Sequence, residues 1–518
     1  MQPRRLATLL LCVALVSSGG VAMSAPAAGQ ELVIANEADL TVLDPIRIQE
    51  APTSFVAGLV YEQLVRRTHE GKIAPSLAER WKISPDRRTW TFTLRKGVKF
   101  HDGSEFDASV VEWHFKRALD PREGSVFRGQ FSVIEKITVL DPYTIAFTLT
   151  APNVAFLDFV MLTNGAFIPS RRAFETLGAE FPFKAVGTGP FRWGQWVQGQ
   201  RVVLERNPAY WGTQPKLERL VIRPILDANT GVVELETGGV HYLMRANRDD
   251  ITRLEKDPRF VVYRVPTYRA RFIELNVSRP PFNDLKVRQA VNHALNVPEI
   301  INALASGMAA PVDTILPVKS PFHPAPGTYT TYPFNPERAR ALLAEAGWQR
   351  SAGGLRKGDQ TLRVTLHSPN GRYFADKEIS EVICNRLQTL GIECRVRVMD
   401  WSAFLDDVRS GRFEAAFLGW NQSSGEPSLF FDALVATGGR GNYAKYSDPA
   451  LDQVLKEGLI AFSEGRRKLL YARATDIVNR NAWYVPLSNE LKIAITSSRV
   501  QGYVHSAPLT DFVPVWMK

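Results

Sequence analysis

Near Asn276 the chain changes the period of its hydrophobic pattern, and a fold must satisfy both periods. Before that point the runs "GPFRWGQW", "QRVVLERN" and "LERLVIRPI" have the length and texture of strands. Beyond it, "DLKVRQAVNHALNVPEIINAL" and "NPERARALLAEAG" carry the apolar spacing of amphipathic helices. The run "TLRVTLHS" then reads as a strand, followed by a helix around Ile379 to Leu390 and a second strand, "IECRVRVMD". In that second strand Ile392, Cys394, Val396 and Val398 share one face. Strand-helix-strand alternation predicts an α/β lobe. "EAAFLGW" continues it as a buried strand, and the stretch Pro449 to Asn479 reads as helical. At 518 residues the chain exceeds what one growing core accommodates. No internal repeat or low-complexity linker divides it, so the expected architecture is two α/β lobes with an additional β-rich domain, closely packed.

The β-rich part is clearest in "TWTFTLRKGVKFHDGSEF", Thr89 to Phe106. Trp90, Phe92 and Leu94 fall on one face of a strand and Thr89, Thr91 and Thr93 on the other, the pattern of a half-buried antiparallel strand. Lys96-Gly97 and Asp102-Gly103 are turn dipeptides around the short strand "VKF". A helix follows, with Ser109 and Glu112 at capping-box spacing. "FSVIEKITVLDPYTIAFTLT" is a hairpin bending at Asp141-Pro142.

The N-terminus reads as a secretory signal peptide over residues 1–27: Arg4 and Arg5 precede the apolar run Leu6 to Val16, and small residues follow. That run is too short to span a bilayer. Cys12 follows Leu11, where lipid attachment needs a small residue, so the expectation is a soluble, non-lipidated periplasmic protein. Removing the signal deletes two of the ten net positive charges. The rest are scattered, without a cluster suited to nucleic acid, which excludes that class of partner. Cys384 and Cys394 survive export and flank a helix end and Gly391, leaving a disulfide or two buried thiols open.

Local signatures of catalysis are missing. The eight histidines form no close pair of metal-ligand spacing, and there is no GxSxG elbow, SxxK, Walker loop or dinucleotide fingerprint. Asp102 reads as a turn residue and His101 as its neighbour. A triad of dispersed residues escapes such a search, so a secreted hydrolase is the rival reading.

The segment "PSLAERWKISPDRRTWTFTLRKGVKFHDGSEFDASVVEWHFKRALDP" resembles the signature region of the bacterial extracytoplasmic solute-binding proteins of family 5, the dipeptide, oligopeptide and nickel type that serve ABC importers. "VGTGPFRWGQW", "ERNPAYWG", "ELNVSRPPFNDLKVRQAVNHALN", "NPERARALLAEAG", "DWSAFLDDVRSGRFEAAFLGW" and "YSDPALDQVL" continue the likeness in the same order over nearly all of the mature chain. The resemblance implies a two-lobed periplasmic-binding-protein-like fold of type II, with a discontinuous N-terminal lobe (28–64, 186–275 and 490–518), a β-rich domain (65–185) inserted in it, and a second lobe (276–489). It implies a non-enzymatic monomer, without cofactor, that encloses a ligand between the lobes and presents it to membrane permease subunits; nickel would need a chelator or a histidine cluster, and the lack of a local cluster argues against a metal site without removing it. A variant of the same reading has the closed form signal to a membrane receptor.

For the ligand, the family's peptide binders carry an aspartate three residues after the tryptophan of "GW". Here that position is Ser423, which weakens the reading of a free peptide amino terminus. Trp420, Asn421 and Ser423 are the first candidate contacts, and Glu426 is assigned to a turn. Arg372 and Tyr373 follow a strand end, where α/β lobes bind ligands. Asn36 and Glu37 follow the first strand and are expected from the opposite lobe, and Tyr443 beside "TGGRGN" completes the set.

Overall fold

The computed structural model describes residues 30–422, 424–506 and 511–518. Two long antiparallel strands, Phe260–Leu275 and Tyr484–Ser497, run through the middle of an 11-stranded mixed sheet. Beyond Tyr484–Ser497 the order continues through Tyr242–Leu243, Glu31–Asn36, Arg219–Pro224, Arg201–Arg206 and Phe191–Val197. Beyond Phe260–Leu275 it continues through Ala415–Asn421, Arg363–Pro369 and Glu393–Met399, and the eleventh strand, Ala309–Pro311, pairs with Tyr484–Ser497 off this path. The two long strands therefore belong to both halves of the sheet. Their ladder is regular from Phe260 opposite Ser497 to Pro266 opposite Leu491, breaks, and resumes at Ala270 opposite Asn489. Pro266 has no amide hydrogen for the ladder, and an extra stretch on one strand bends it locally. Cross-links persist at the break: the Thr267 hydroxyl donates to the Glu490 carbonyl at 2.9 Å, and the Asn489 amide to the Arg269 carbonyl at 3.1 Å.

In the second half, Arg363–Pro369, the helix Asp376–Thr389 and Glu393–Met399 form the expected strand-helix-strand unit with parallel strands. Gly391 turns the chain between helix and strand at φ +94°, where a side chain is strained. The helix buries Ile379, Ile383 and Leu387 against Val364, Leu366 and Leu275, and Phe272, Phe404, Leu418, Phe431 and Tyr484 fill the opposite face of the sheet. Each such side chain contributes about 1.5–3 kcal/mol by leaving water. Cys384 and Cys394 are joined as a disulfide inside the first of these clusters, their Cα atoms 4.9 Å apart.

A separate four-stranded antiparallel sheet has the order Ala78–Ile83, Thr89–Leu94, Thr144–Leu149, Ile134–Asp141. As the alternation predicts, Trp90, Phe92 and Leu94 are buried, and they pack with Phe115, Phe131, Phe147 and Phe156. The helix Ala108–Leu119 is not started by a Ser109–Glu112 box. Asp107 caps it, accepting from the amides of Ser109 at 2.9 Å and Val110 at 3.1 Å. A carboxylate satisfies both amides and adds its charge to the positive helix end.

His101 and Asp102 are tied into the scaffold. The Gly187 amide donates to His101 Nδ1 at 3.3 Å, which leaves Nε2 protonated to donate to the Gly189 carbonyl at 3.0 Å. Burial holds this imidazole below the usual histidine pKa. Asp102 accepts from the Ser104 amide at 2.9 Å and from the hydroxyls of Ser104 and Ser170, both at 2.6 Å.

Candidate functional site

A cavity of about 680 Å³ opens on the second half of the sheet, beside the break in the two long strands. Its floor is the end of Ala415–Asn421, where Leu418, Gly419, Trp420 and Asn421 face it. Register brings in the neighbouring long strand, because Arg269 stands opposite Asn421 and Ala270 opposite Trp420. Arg269 reaches the cavity and pairs with Glu490 at 2.9 Å.

One wall is the turn after Arg363–Pro369. Asp376 is buried at the start of its helix, and its carboxylate accepts from the amides of Gly371 at 3.1 Å and Tyr373 at 2.9 Å. This folds the turn so that Tyr373 lies inward and Arg372 is exposed at the rim. The Tyr373 ring lies against Gly419, where an added Cβ would come within 2.7 Å of it, and its hydroxyl donates to the Gly419 carbonyl at 3.2 Å. The Arg372 guanidinium is 5.0 Å from the ring centre of Trp401, which begins the helix Trp401–Arg409. Behind the turn, Arg271 is almost fully buried. Its Nε donates to Ser488 Oγ at 3.1 Å and its Nη1 to the Phe374 carbonyl at 2.9 Å.

The other wall is the loop Gly438 to Lys445. Asn442 shapes it from within, donating to the carbonyls of Ala436 at 3.1 Å and Tyr446 at 2.8 Å and accepting from the Tyr446 amide at 2.8 Å. Glu274 anchors it beneath, accepting from the Ala444 amide at 2.9 Å, and burial pushes its carboxyl pKa up to about 8. Gly441 lets the loop approach Trp420, since a Cβ there would meet the indole at 2.7 Å. Arg440 stacks over the same indole, 5.1 Å from its centre. Trp420 Nε1 is buried and has no hydrogen-bond partner, a donor left over beside the cavity.

Of the residues expected from sequence, Arg372, Tyr373, Trp420, Asn421 and Tyr443 meet on this cavity. Ser423 lies outside the described residues. Asn36 and Glu37 do not line the cavity. Asn36 is buried in the first half of the sheet, its amide donating to the Pro52 carbonyl at 3.3 Å and its Oδ1 accepting from the Glu37 amide at 3.1 Å. Glu426 has the turn role assigned to it: buried, it caps the helix Pro427–Leu434 and pairs with buried Arg467. Sequence reasoning missed Arg269, Trp401, Arg409, Arg440 and Lys445, all on the cavity wall. Only Arg440 had a local signal, the glycine-flanked run "TGGRGN".

No group of three or more metal-ligating side chains occurs among the described residues, and none of their helices is long and apolar enough to cross a membrane. The family described as bacterial extracellular solute-binding proteins, family 5 Middle, matches residues 72–442. The glutathione-binding protein GsiB of Escherichia coli K12 is 30% identical over 501 residues, covering 95% of each chain. Among solved structures, the periplasmic binding protein DppA of Helicobacter pylori in complex with the peptide STSA is 28% identical, covering 94% of this chain and 98% of its own, with a TM-score of 0.74. HbpA2 of Haemophilus parasuis is 26% identical, covering 94% and 100%, with a TM-score of 0.86. With nearly full-length likeness in both sequence and fold, and a family match that spans most of the residues, the chain belongs to the bacterial extracellular solute-binding proteins of family 5.

Proposed function

We propose that the chain is the substrate-binding subunit of an ABC importer, enclosing a short peptide or similar small polar solute between two lobes and handing it to a membrane permease. The observation that carries this reading is the position of the cavity. It lies beside the larger of two places where the long strands lose register, between Pro266 and Ala270 on one and Leu491 and Asn489 on the other; a smaller shift follows between Arg271 and Phe272. Such a break is where two half-sheets rotate against each other with little loss of pairing. On this reading the hinge is residues 266–270 and 489–491, close to the lobe boundaries at 275/276 and 489/490 that the family resemblance implies.

Closure brings the first lobe over a wall built from the second, and ligand contacts complete only in the closed form shift the equilibrium towards it. The cavity has the size and mixed aromatic and polar lining of a small-ligand site. Export by the N-terminal signal, a periplasmic location, a monomeric state and docking of the closed form on permease subunits belong to the same reading. Its support is the family and the names of its relatives, a glutathione-binding protein and a peptide complex. Glutathione and short peptides are accordingly the first ligands to test.

Incubation with a peptide and ester mixture separates this reading from the hydrolase. A binding protein returns its ligand chemically unchanged, whereas new products in proportion to protein and time would defeat the proposal.

A further inference from the structure

The charged lining of the cavity has one sign. Arg269, Arg372, Arg409, Arg440 and Lys445 line it, and no aspartate or glutamate does. Arg269 is matched by Glu490. Among the described residues the other four form no ion pair with a carboxylate, Lys445 feeling buried Glu274 only at longer range, although arginines elsewhere are commonly paired, as Arg397 and Arg412 both are with Asp407. Two of the four lie over indoles instead, Arg372 at 5.0 Å from the ring centre of Trp401 and Arg440 at 5.1 Å from that of Trp420. All four are exposed.

Exposed cations cost little while water solvates them. Closing a cleft over them removes that water, and an uncompensated charge in a drier site is expensive. A neutral ligand leaves the cost standing. A carboxylate facing a guanidinium offsets it with two parallel charge-assisted hydrogen bonds, and the neighbouring indoles favour keeping two of the guanidinium groups at the cavity. We infer that this cavity takes an organic anion carrying at least two carboxylates, with a net negative charge even where the ligand also has an ammonium group. This rests on the solute-binding reading above and adds the charge class of its ligand.

The test splits a low-mass bacterial extract at neutral pH into anionic, neutral and cationic fractions and adds each to the purified chain. Melting is followed, and native mass spectrometry identifies the compound behind any shift. The expected result is a shift from the anionic fraction alone, caused by a compound with two or more carboxylates. The double variant Arg409→Gln, Arg440→Gln, which breaks no ion pair, should melt like the parent without ligand and bind that compound about a hundredfold more weakly, tenfold for each lost charge-assisted contact. A shift from the neutral or cationic fraction, or from a compound with fewer carboxylates, overturns the inference and leaves the solute-binding reading standing. Equal binding by the double variant also overturns it. No shift from any fraction counts against solute binding itself and takes the inference down with it.

Discussion

Trp420 carries the most weight of any single side chain in the candidate site: its indole supports Arg440, borders the cavity and keeps one unsatisfied donor. Trp420→Ala should weaken ligand binding by more than about tenfold, or roughly 1.4 kcal/mol, in calorimetry with the compound found by the extract screen. Equal affinity would remove the residue from the site. Arg467 provides a contrast, since it is buried against Glu426 away from the cavity lining. Arg467→Met leaves a buried carboxylate unpaired and should cost about 3–5 kcal/mol in denaturant unfolding. At this scale the sequence was legible where a residue type is rare or its position special, as for Trp420 after its strand or Arg372 and Tyr373 after theirs. It was silent on Arg269, Arg409 and Lys445, because a long cation on a strand, a helix end or a loop has the same local pattern whether it faces solvent or a cavity. Only the register of Arg269 against Asn421 and the folding back of the 438–445 loop bring them together.

Elements show the opposite balance, because hydrophobic period is a local property. The half-buried strand Thr89–Leu94 and the helix Asp376–Thr389 follow directly from it. The helix start at Ala108 did not, because Asp107 and Ser109 both suit a cap and only geometry chooses between them. The Cys384–Cys394 bond closes a short loop between a helix and its following strand, with a sequence separation of 10. Restricting the unfolded chain over a loop of that length is worth about 2–3 kcal/mol, so Cys384→Ala with Cys394→Ala should lower the melting temperature measurably. An unchanged melting curve would mean that the bond contributes nothing to stability. In the β-rich domain, His114 is wholly buried, and burial first, then Arg117, lowers its pKa from 6.5 to about 3. The folded state therefore holds fewer protons on this group than the unfolded state does below pH 6.5. Its contribution to stability is complete above that pH and is lost as pH falls towards 3. His114→Gln should flatten the acid side of the stability profile measured by urea unfolding between those limits. An unaltered slope would contradict the assignment.

For the whole molecule, composition and length bounded the answer to a multi-lobed globular protein. They could not reveal that one pair of strands serves both halves of the sheet. Phe260–Leu275 reads as a single run, and its loss of register at Pro266 depends on a partner more than two hundred residues away. Ligand capture by this fold requires movement at that break. Small-angle scattering of the purified chain, alone and with a saturating ligand identified by the extract screen, tests it most directly. Closure about residues 266–270 and 489–491 predicts a smaller radius of gyration and a shorter maximum dimension in the presence of ligand. Superimposable profiles at confirmed saturation would contradict it.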